Sequence, residues 1–302
     1  MLKEIREMIE NVLDKDDYIK DEPLKNHCFF KIGGKTPYLI TVKSVQKLQT
    51  IIDLLNRFNQ NFFVMGNGSN LLISDEGVDL PVIKLGNDFS KVRIEDENII
   101  VQGGALLSSV SKRAQKEGLT GLEFASGIPG SVGGAIAMNA GAYGGEMKDI
   151  FEEALCLTNE GKIRKLNNQQ MKFSYRNSIV LNEDMIVLEI KLRLKRGNKN
   201  KIKAKMDEYD KLRISKQPVN LPSAGSTFKR PEGFYTGQLV ESCGLKGLRF
   251  GDAQVSAKHC GFIVNVGNAS ANEVKTLIQV IQKTVLDIHN VRLETEIRMI
   301  GF

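Results

Sequence analysis

Between Ser44 and Asn59 the apolar residues Val45, Leu48, Ile51, Ile52, Leu54 and Leu55 recur at helical spacing, which predicts an amphipathic helix. The unbroken apolar run Phe62-Phe63-Val64-Met65 then predicts a buried strand, ending in the turn Gly66-Asn67-Gly68-Ser69-Asn70 before Leu71-Leu72-Ile73 resumes apolar chain. Short strands are predicted at Val92 to Ile94 and Ile99 to Gln102 around the polar turn Glu95-Asp96-Glu97-Asn98, and a helix from about Ala105 to Lys116 behind Gly103-Gly104. Glu153 to Thr158 and Lys162 to Leu166 flank Asn159-Glu160-Gly161 and predict a hairpin; Met185 to Leu194 reads as a long strand. The segment Lys195 to Lys201 is charged, contains glycine and lacks periodicity, so it is the expected linker. Beyond it the pattern predicts a smaller α+β unit: a helix over 202–215, a strand from His259 to Val266, a helix from Asn272 to His289 and a last strand from Arg292 to Ile300. The N-terminal stretch through Lys20 alternates charged and apolar residues at helical spacing and holds no apolar run long enough for a signal peptide or membrane span.

One segment resists this periodic reading. Residues 121–146 contain eight glycines in 26 positions and almost no charge. Glycine costs backbone entropy and buries no side chain, so such density needs a steric reason. Two readings stand for Gly127-Ile128-Pro129-Gly130-Ser131-Val132-Gly133-Gly134: a concave nest of amide N–H groups for phosphate oxygens, or a set of tight turns. Gly66 to Leu71 begins like a dinucleotide fingerprint, but Leu71 replaces the third glycine and apolar strand follows instead of helix. No GxxxxGK[ST] sequence occurs, which removes the P-loop reading. The glycine turns at 66–68, 103–104 and 127–134 all precede the expected linker, as if three loops of one domain converged on one long ligand.

At 302 residues the chain suits two or three domains. The net charge of +6 favours anionic partners, and the lysines are spread along the chain instead of gathered in one arm, which fits an anionic small ligand at least as well as nucleic acid. Cys28, Cys156, Cys243 and Cys260 lie far apart without a CxxC pair, and His27, His259 and His289 are equally scattered; neither a disulfide framework nor a metal site is expected. A nucleic-acid-binding module remains the reading from a different class, and it requires a clustered basic face.

Three further motifs carry candidate chemistry. In Tyr175-Arg176-Asn177-Ser178 the guanidinium is suited to hold a carboxylate or phosphate in a bidentate fork, or is an ordinary surface arginine. Ala224-Gly225-Ser226-Thr227-Phe228-Lys229 places a hydroxyl after a small-residue turn; it is not GxSxG and has no histidine near it, so a serine hydrolase is disfavoured. Leu293-Glu294-Thr295-Glu296-Ile297-Arg298 alternates as a strand with Glu294, Glu296 and Arg298 on one face.

Together, GNGSNLL from Gly66, GIPGSVGGA from Gly127, MNAGAYGGE from Met138, YRNS from Tyr175, AGSTFKRP from Ala224, GLKG from Gly244 and LETEIR from Leu293 span nearly the whole chain. The set resembles the UDP-N-acetylenolpyruvoylglucosamine reductases, in the shorter type that lacks an extra tyrosine-bearing substrate loop. The resemblance implies an α+β fold: a two-lobed FAD-binding domain (PCMH/vanillyl-alcohol-oxidase-like) plus a smaller C-terminal α+β substrate domain. The expected boundaries are 1–30 for an N-terminal helix and lead-in, 31–196 for the FAD domain, with lobes of about 31–86 and 87–196, and 197–302 for the substrate domain. Cys28 stands where such proteins often carry threonine.

The resemblance further implies non-covalent FAD, held by Gly66, Asn67, Gly68, Ser69, Asn70, Gly127, Ile128, Pro129, Gly130, Ser131, Gly133, Gly134 and Ala135. NADPH is the expected co-substrate and a UDP-sugar the substrate of a cytoplasmic, monomeric enzyme with no nucleic-acid partner and no membrane span. Arg176 takes the part of the cation that stabilises the carboxylate of the substrate, Glu296 that of its acidic partner and Ser226 that of the proton donor. The choice of Glu296 over Glu294 rests on the family motif, since the strand pattern puts both on one face. Tyr175 is expected at the substrate, and Lys229 with Arg213, Lys216 or Arg230 at its diphosphate, from charge and proximity in sequence. The competing flavoprotein reading is an alcohol or lactone oxidase of the same fold.

Overall fold

The Ser44 hydroxyl accepts the Lys47 N–H at 3.1 Å and starts the helix Val45–Arg57, satisfying one of the donors a helix leaves open at its N-terminus. The structure, a computed structural model, describes residues 3–302. This helix buries Leu48, Ile51, Ile52, Leu54 and Leu55. They pack on a parallel sheet in which Val82–Lys84 lies between Lys35–Thr41 and Phe63–Met65, with Val82 opposite both Leu39 and Phe63. Ile5 and Ile9 of the N-terminal helix Lys3–Val12 enter the same core. A Leu48→Ala change there removes a fully buried side chain, at a cost of about 2–5 kcal/mol.

A five-stranded antiparallel sheet forms the second core of this unit, ordered Ile163–Asn167, Phe151–Leu157, Ile186–Arg193, Asn98–Gln102, Val92–Glu95. Ile99 and Val101 are buried between half-buried Asn98, Ile100 and Gln102, the period-two pattern of a sheet with one face inward. On that face lie the helices Leu107–Lys116 and Val132–Ala137, burying Leu107, Val110, Ala114, Val132, Ala135 and Ile136. The short glycine helix comes so close that a Cβ on Gly133 would lie 3.0 Å from the Gly103 carbonyl oxygen, and one on Gly103 would lie 2.1 Å from that of Val187. Close approach of two backbones is therefore the steric reason for these glycines.

The chain forms two compact units, and their division differs from the expected one at residues 196 and 197. One comprises the chain up to Lys20, Pro37–Asn67 and Leu80–Lys211; the other comprises Asp21–Thr36, Gly68–Asp79 and Leu212–Phe302. The expected linker is ordered: Lys195 and Arg196 pair with Thr120 and Leu119, and the helix Lys199–Lys216 starts at once. That helix belongs to the first unit as far as Lys211, where Tyr209 stacks on Tyr143 at 4.4 Å between ring centroids and Asp210 accepts from the Ser126 hydroxyl at 3.1 Å.

The second unit holds an antiparallel sheet of Arg249–Phe250, Ala253–Val255 and Ile263–Asn265 and the helix Ala271–His289. The strand expected from His259 is only Ile263–Asn265, because the Phe262 N–H turns back to the His259 carbonyl at 3.0 Å. The last strand is likewise shorter than expected, Arg298–Ile300, running parallel to Leu71–Ile73. The Asp75 carboxylate accepts the Ala271 and Asn272 N–H groups at 2.7 and 3.0 Å, so the 68–79 segment caps the long C-terminal helix.

Candidate active site

In the first unit the glycine turns at 66, 103 and 127–134 meet. A Cβ on Gly66 would lie 2.1 Å from the Ser131 hydroxyl oxygen, and the Asn67 side-chain amide donates to the Pro129 carbonyl. Ser131 caps the glycine helix through the Gly134 N–H at 3.3 Å, and the Gly133 N–H donates to the Gly103 carbonyl at 2.8 Å. Ile128 and Ala135 likewise use their N–H groups internally, toward the Ala125 and Ser131 carbonyls. The backbone N–H groups of Asn67, Gly127, Gly130 and Ser131 instead donate to no acceptor among the described residues, although Ser131 is only 3% exposed. Backbone donors in folded proteins are rarely left so, and several in adjoining glycine loops suit the oxygens of a diphosphate. The residues present fit the diphosphate of FAD.

Gly68, Ser69 and Asn70, expected in the same loop, belong to the second unit. Gly68 has φ +63° and comes so near the chain behind it that a Cβ would lie 2.2 Å from the His27 carbonyl oxygen. Cys28, next to that carbonyl, is 2% exposed, and its thiol donates to the Ile32 carbonyl at 3.1 Å. Asn70 turns toward the catalytic candidates: its side-chain amide donates to the Glu296 carbonyl at 3.0 Å, and its own carbonyl accepts the Arg298 N–H at 2.9 Å.

Arg176 stands in a tight turn of the first unit. Ser174 and Asn177 exchange backbone hydrogen bonds at 3.1 and 3.3 Å across Tyr175 and Arg176, and Arg176 has φ +54°. A left-handed arginine costs on the order of 1–2 kcal/mol, so the surroundings must impose it. One guanidinium nitrogen donates to the Gly141 carbonyl at 3.3 Å, and the guanidinium carbon lies 4.8 Å from the centre of the exposed Tyr175 ring.

Ser226 and Glu296 are brought together by backbone pairing in the second unit. The Glu296 N–H donates to the Thr227 carbonyl at 2.9 Å and the Lys229 N–H to the Glu294 carbonyl at 2.8 Å, a short antiparallel contact centred on Phe228 and Thr295. Thr227 is fixed behind it, its hydroxyl accepting the Ile263 N–H at 3.0 Å. The Ser226 hydroxyl, half-buried and following Gly225 at φ +80°, makes no hydrogen bond among the described residues. The two glutamates that the strand pattern left equivalent differ here. Glu294 is exposed and pairs with Lys229 at 3.1 Å, whereas Glu296 is half-buried and its backbone is held from both sides.

The expected diphosphate contacts are less concentrated. Arg213 and Lys216 share the last turn of the helix Lys199–Lys216. Lys229 is matched by Glu294, an exposed pair worth about 0–1 kcal/mol and easily exchanged for a phosphate. The Arg230 guanidinium lies over Tyr235 at 3.9 Å from the ring centre. Asn70 as a brace for Glu296 and the buried Asn139 had one signal in the sequence, asparagine inside glycine-rich turns, where its side chain replaces backbone partners; Asp75 as a cap for a helix about 200 residues on had none.

The unmatched amides suit a diphosphate, and residues 36–167 match a family model described as an FAD binding domain, which places the chain among flavin-binding proteins. Residues 217–300, which carry Ser226 and Glu296, match the C-terminal domain of UDP-N-acetylenolpyruvoylglucosamine reductase. The chain is 47% identical over 291 residues to the reductase of that name from Clostridioides difficile (strain 630), covering 96% of each chain. It is 45% identical to that of Clostridium novyi (strain NT), covering 99% of this chain and 97% of the relative. The crystal structure of the Thermus caldophilus reductase superposes with a TM-score of 0.81 at 36% identity, covering 94% of this chain and 98% of that one. The chain belongs to the UDP-N-acetylenolpyruvoylglucosamine reductase family.

Proposed function

We propose that this protein reduces the enolpyruvyl ether of UDP-N-acetylglucosamine enolpyruvate to the lactyl ether of UDP-N-acetylmuramate, a step of peptidoglycan precursor synthesis, with NADPH as reductant. The observation that carries the reading is the unpartnered, half-buried Ser226 hydroxyl presented by a left-handed glycine in the region matching the reductase C-terminal domain. The same match disfavours an alcohol or lactone oxidase. FAD, when bound, would supply hydride-transfer chemistry between NADPH and the enolpyruvyl group. Asn67, Gly127, Gly130 and Ser131, whose backbone N–H groups have no acceptor among the described residues, would hold its diphosphate.

Negative charge then develops on the carbon beside the substrate carboxylate and spreads into its oxygens. Arg176 binds that carboxylate as a fixed cation, and Glu296 is its acidic partner; preorganised charge at the place where charge develops is often the largest catalytic contribution. Ser226 delivers a proton from Oγ to the carbanion-like carbon. A hydroxyl is a weak acid in water, but against so basic an acceptor its placement matters more than matching its pKa to the surrounding pH. Tyr175 sits beside Arg176 at the substrate, and Lys229, Arg213 and Lys216 contribute positive charge for the diphosphate.

Rapid-mixing absorbance separates the two half-reactions. Ser226→Ala is expected to bleach normally with NADPH and to recover its flavin absorbance on addition of the UDP-sugar slower by about 10²–10⁴-fold, the range of general-acid catalysis. Equal slowing of both phases would remove Ser226 from the proton-transfer role.

A further inference from the structure

The turn that carries Arg176 is tied to the glycine-rich 137–146 segment at three points. The Ser178 hydroxyl, fully buried, donates to the Ala137 carbonyl at 2.9 Å. The Arg176 guanidinium donates to the Gly141 carbonyl at 3.3 Å. Between them, the side-chain amide of Asn139 donates to the Ser174 carbonyl at 3.1 Å, at the residue that opens the turn.

Asn139 is 0% exposed and has φ +41°, a left-handed conformation that asparagine tolerates better than most residues. Its Nδ2 also donates to Glu146 Oε2 at 2.6 Å, and its Oδ1 accepts the Lys148 N–H at 3.0 Å. Glu146 in turn is the register partner of Gly141, whose carbonyl receives Arg176. One buried amide thus joins the hairpin that receives the guanidinium to the turn that presents it. Asparagine suits this position chemically: two donors and one acceptor are needed within one short side chain, and leucine, aspartate or alanine lacks some of them.

We propose that Asn139 is a positioning residue for Arg176. By holding the Ser174 carbonyl it keeps Arg176 in its left-handed conformation and the guanidinium aimed for the substrate carboxylate. The proposal rests on the reading of Arg176 as the carboxylate-binding cation.

The test uses the FAD-loaded full-length protein and the variants Asn139→Ala, Arg176→Ala and their combination. Asn139→Ala is expected to bleach with NADPH within about threefold of the wild-type rate, and to recover with the enolpyruvyl substrate about 10²-fold more slowly, the scale of a roughly 1 Å misplacement. The double variant should be no slower than Arg176→Ala alone, because the two act as a unit. Calorimetric titration adds a readout independent of turnover: Asn139→Ala should weaken binding of UDP-N-acetylmuramate, which carries the carboxylate, by about tenfold, and leave UDP-N-acetylglucosamine, which lacks it, unchanged. Losses that multiply in the double variant, or equal weakening for both ligands, overturn the proposal. If Arg176→Ala recovers at the wild-type rate, the reading of Arg176 fails first; if Arg176→Ala is slow and Asn139→Ala is normal, only the positioning role fails. Should Asn139→Ala not fold, Asn139→Asp, which keeps the acceptor for Lys148 and loses both donors, must show the same pattern.

Discussion

Burial decides how the individual titratable residues behave. Desolvation pushes all four thiols up, that of Cys156 to about 12; Cys28, Cys156 and Cys260 are buried, and only the half-buried Cys243 is open to a reagent. A thiolate is the reactive form, so a disulfide reagent added to native protein is expected to titrate about one of the four cysteines quickly and all four in denaturant. Fast reaction at two or more native sites would contradict this. His259 illustrates the opposite sign. Burial holds its imidazole below the ordinary value of 6.5, and its Nδ1 accepts the Gly261 N–H at 3.1 Å, which requires the neutral ring. The unfolded chain therefore binds the proton more readily, and the stabilisation from His259 is present above about pH 6.5 and lost as pH falls below it. His259→Gln should flatten the decline in thermal midpoint between about pH 7 and pH 5, measured by calorimetry; an unchanged slope would show that His259 does not contribute.

Among the elements, Gly225 separates conformation from space. A Cβ there would meet nothing within 4 Å, but its φ is +80°. Alanine therefore fits sterically and strains the backbone by about 1–2 kcal/mol. Gly225→Ala is expected to lower stability by that amount in urea unfolding and to slow flavin recovery with the UDP-sugar by a larger factor, since the residue sets the path into Ser226. A loss of stability with normal recovery would mean that Ser226 is placed by Thr227 alone. The short antiparallel contact around Phe228 and Thr295 holds the backbone of both glutamates, and only Glu296, the half-buried one, also receives the brace from Asn70. Alternation along the strand was legible in Leu293 to Arg298, but the partner across the contact was not, because strand pairing between residues about 70 positions apart leaves no local pattern.

For the whole molecule, the consequential fact is that the second unit is assembled from three stretches of chain. Leu71–Ile73 supplies the parallel partner of Arg298–Ile300, and Asp75 caps the helix Ala271–His289. A fragment of residues 212–302 lacks both and is expected to show no cooperative thermal transition by circular dichroism, whereas a sharp transition would show that the C-terminal stretch folds alone. Among the described residues no helix is long and apolar enough to cross a membrane.

The helices Val45–Arg57 and Ala271–His289, the hairpin around Asn159 to Gly161 and the glycine turns were legible in sequence because periodicity and turn chemistry are local. The candidate residues were named from motifs that survive as short strings. Lys195 to Lys201 misled because high charge and a glycine mimic a linker, when a cross-strand pair and a helix absorb them. Sequence by itself determined the long helices, the hairpin, the glycine turns, the cofactor class and the family. Tertiary structure alone decided which amides are left without acceptors, which glutamate is held, and that Asn139 ties one glycine-rich hairpin to the Arg176 turn. The reason is physical: propensity and patterning act over a few residues, whereas hydrogen-bond satisfaction is settled only when distant segments share one interior.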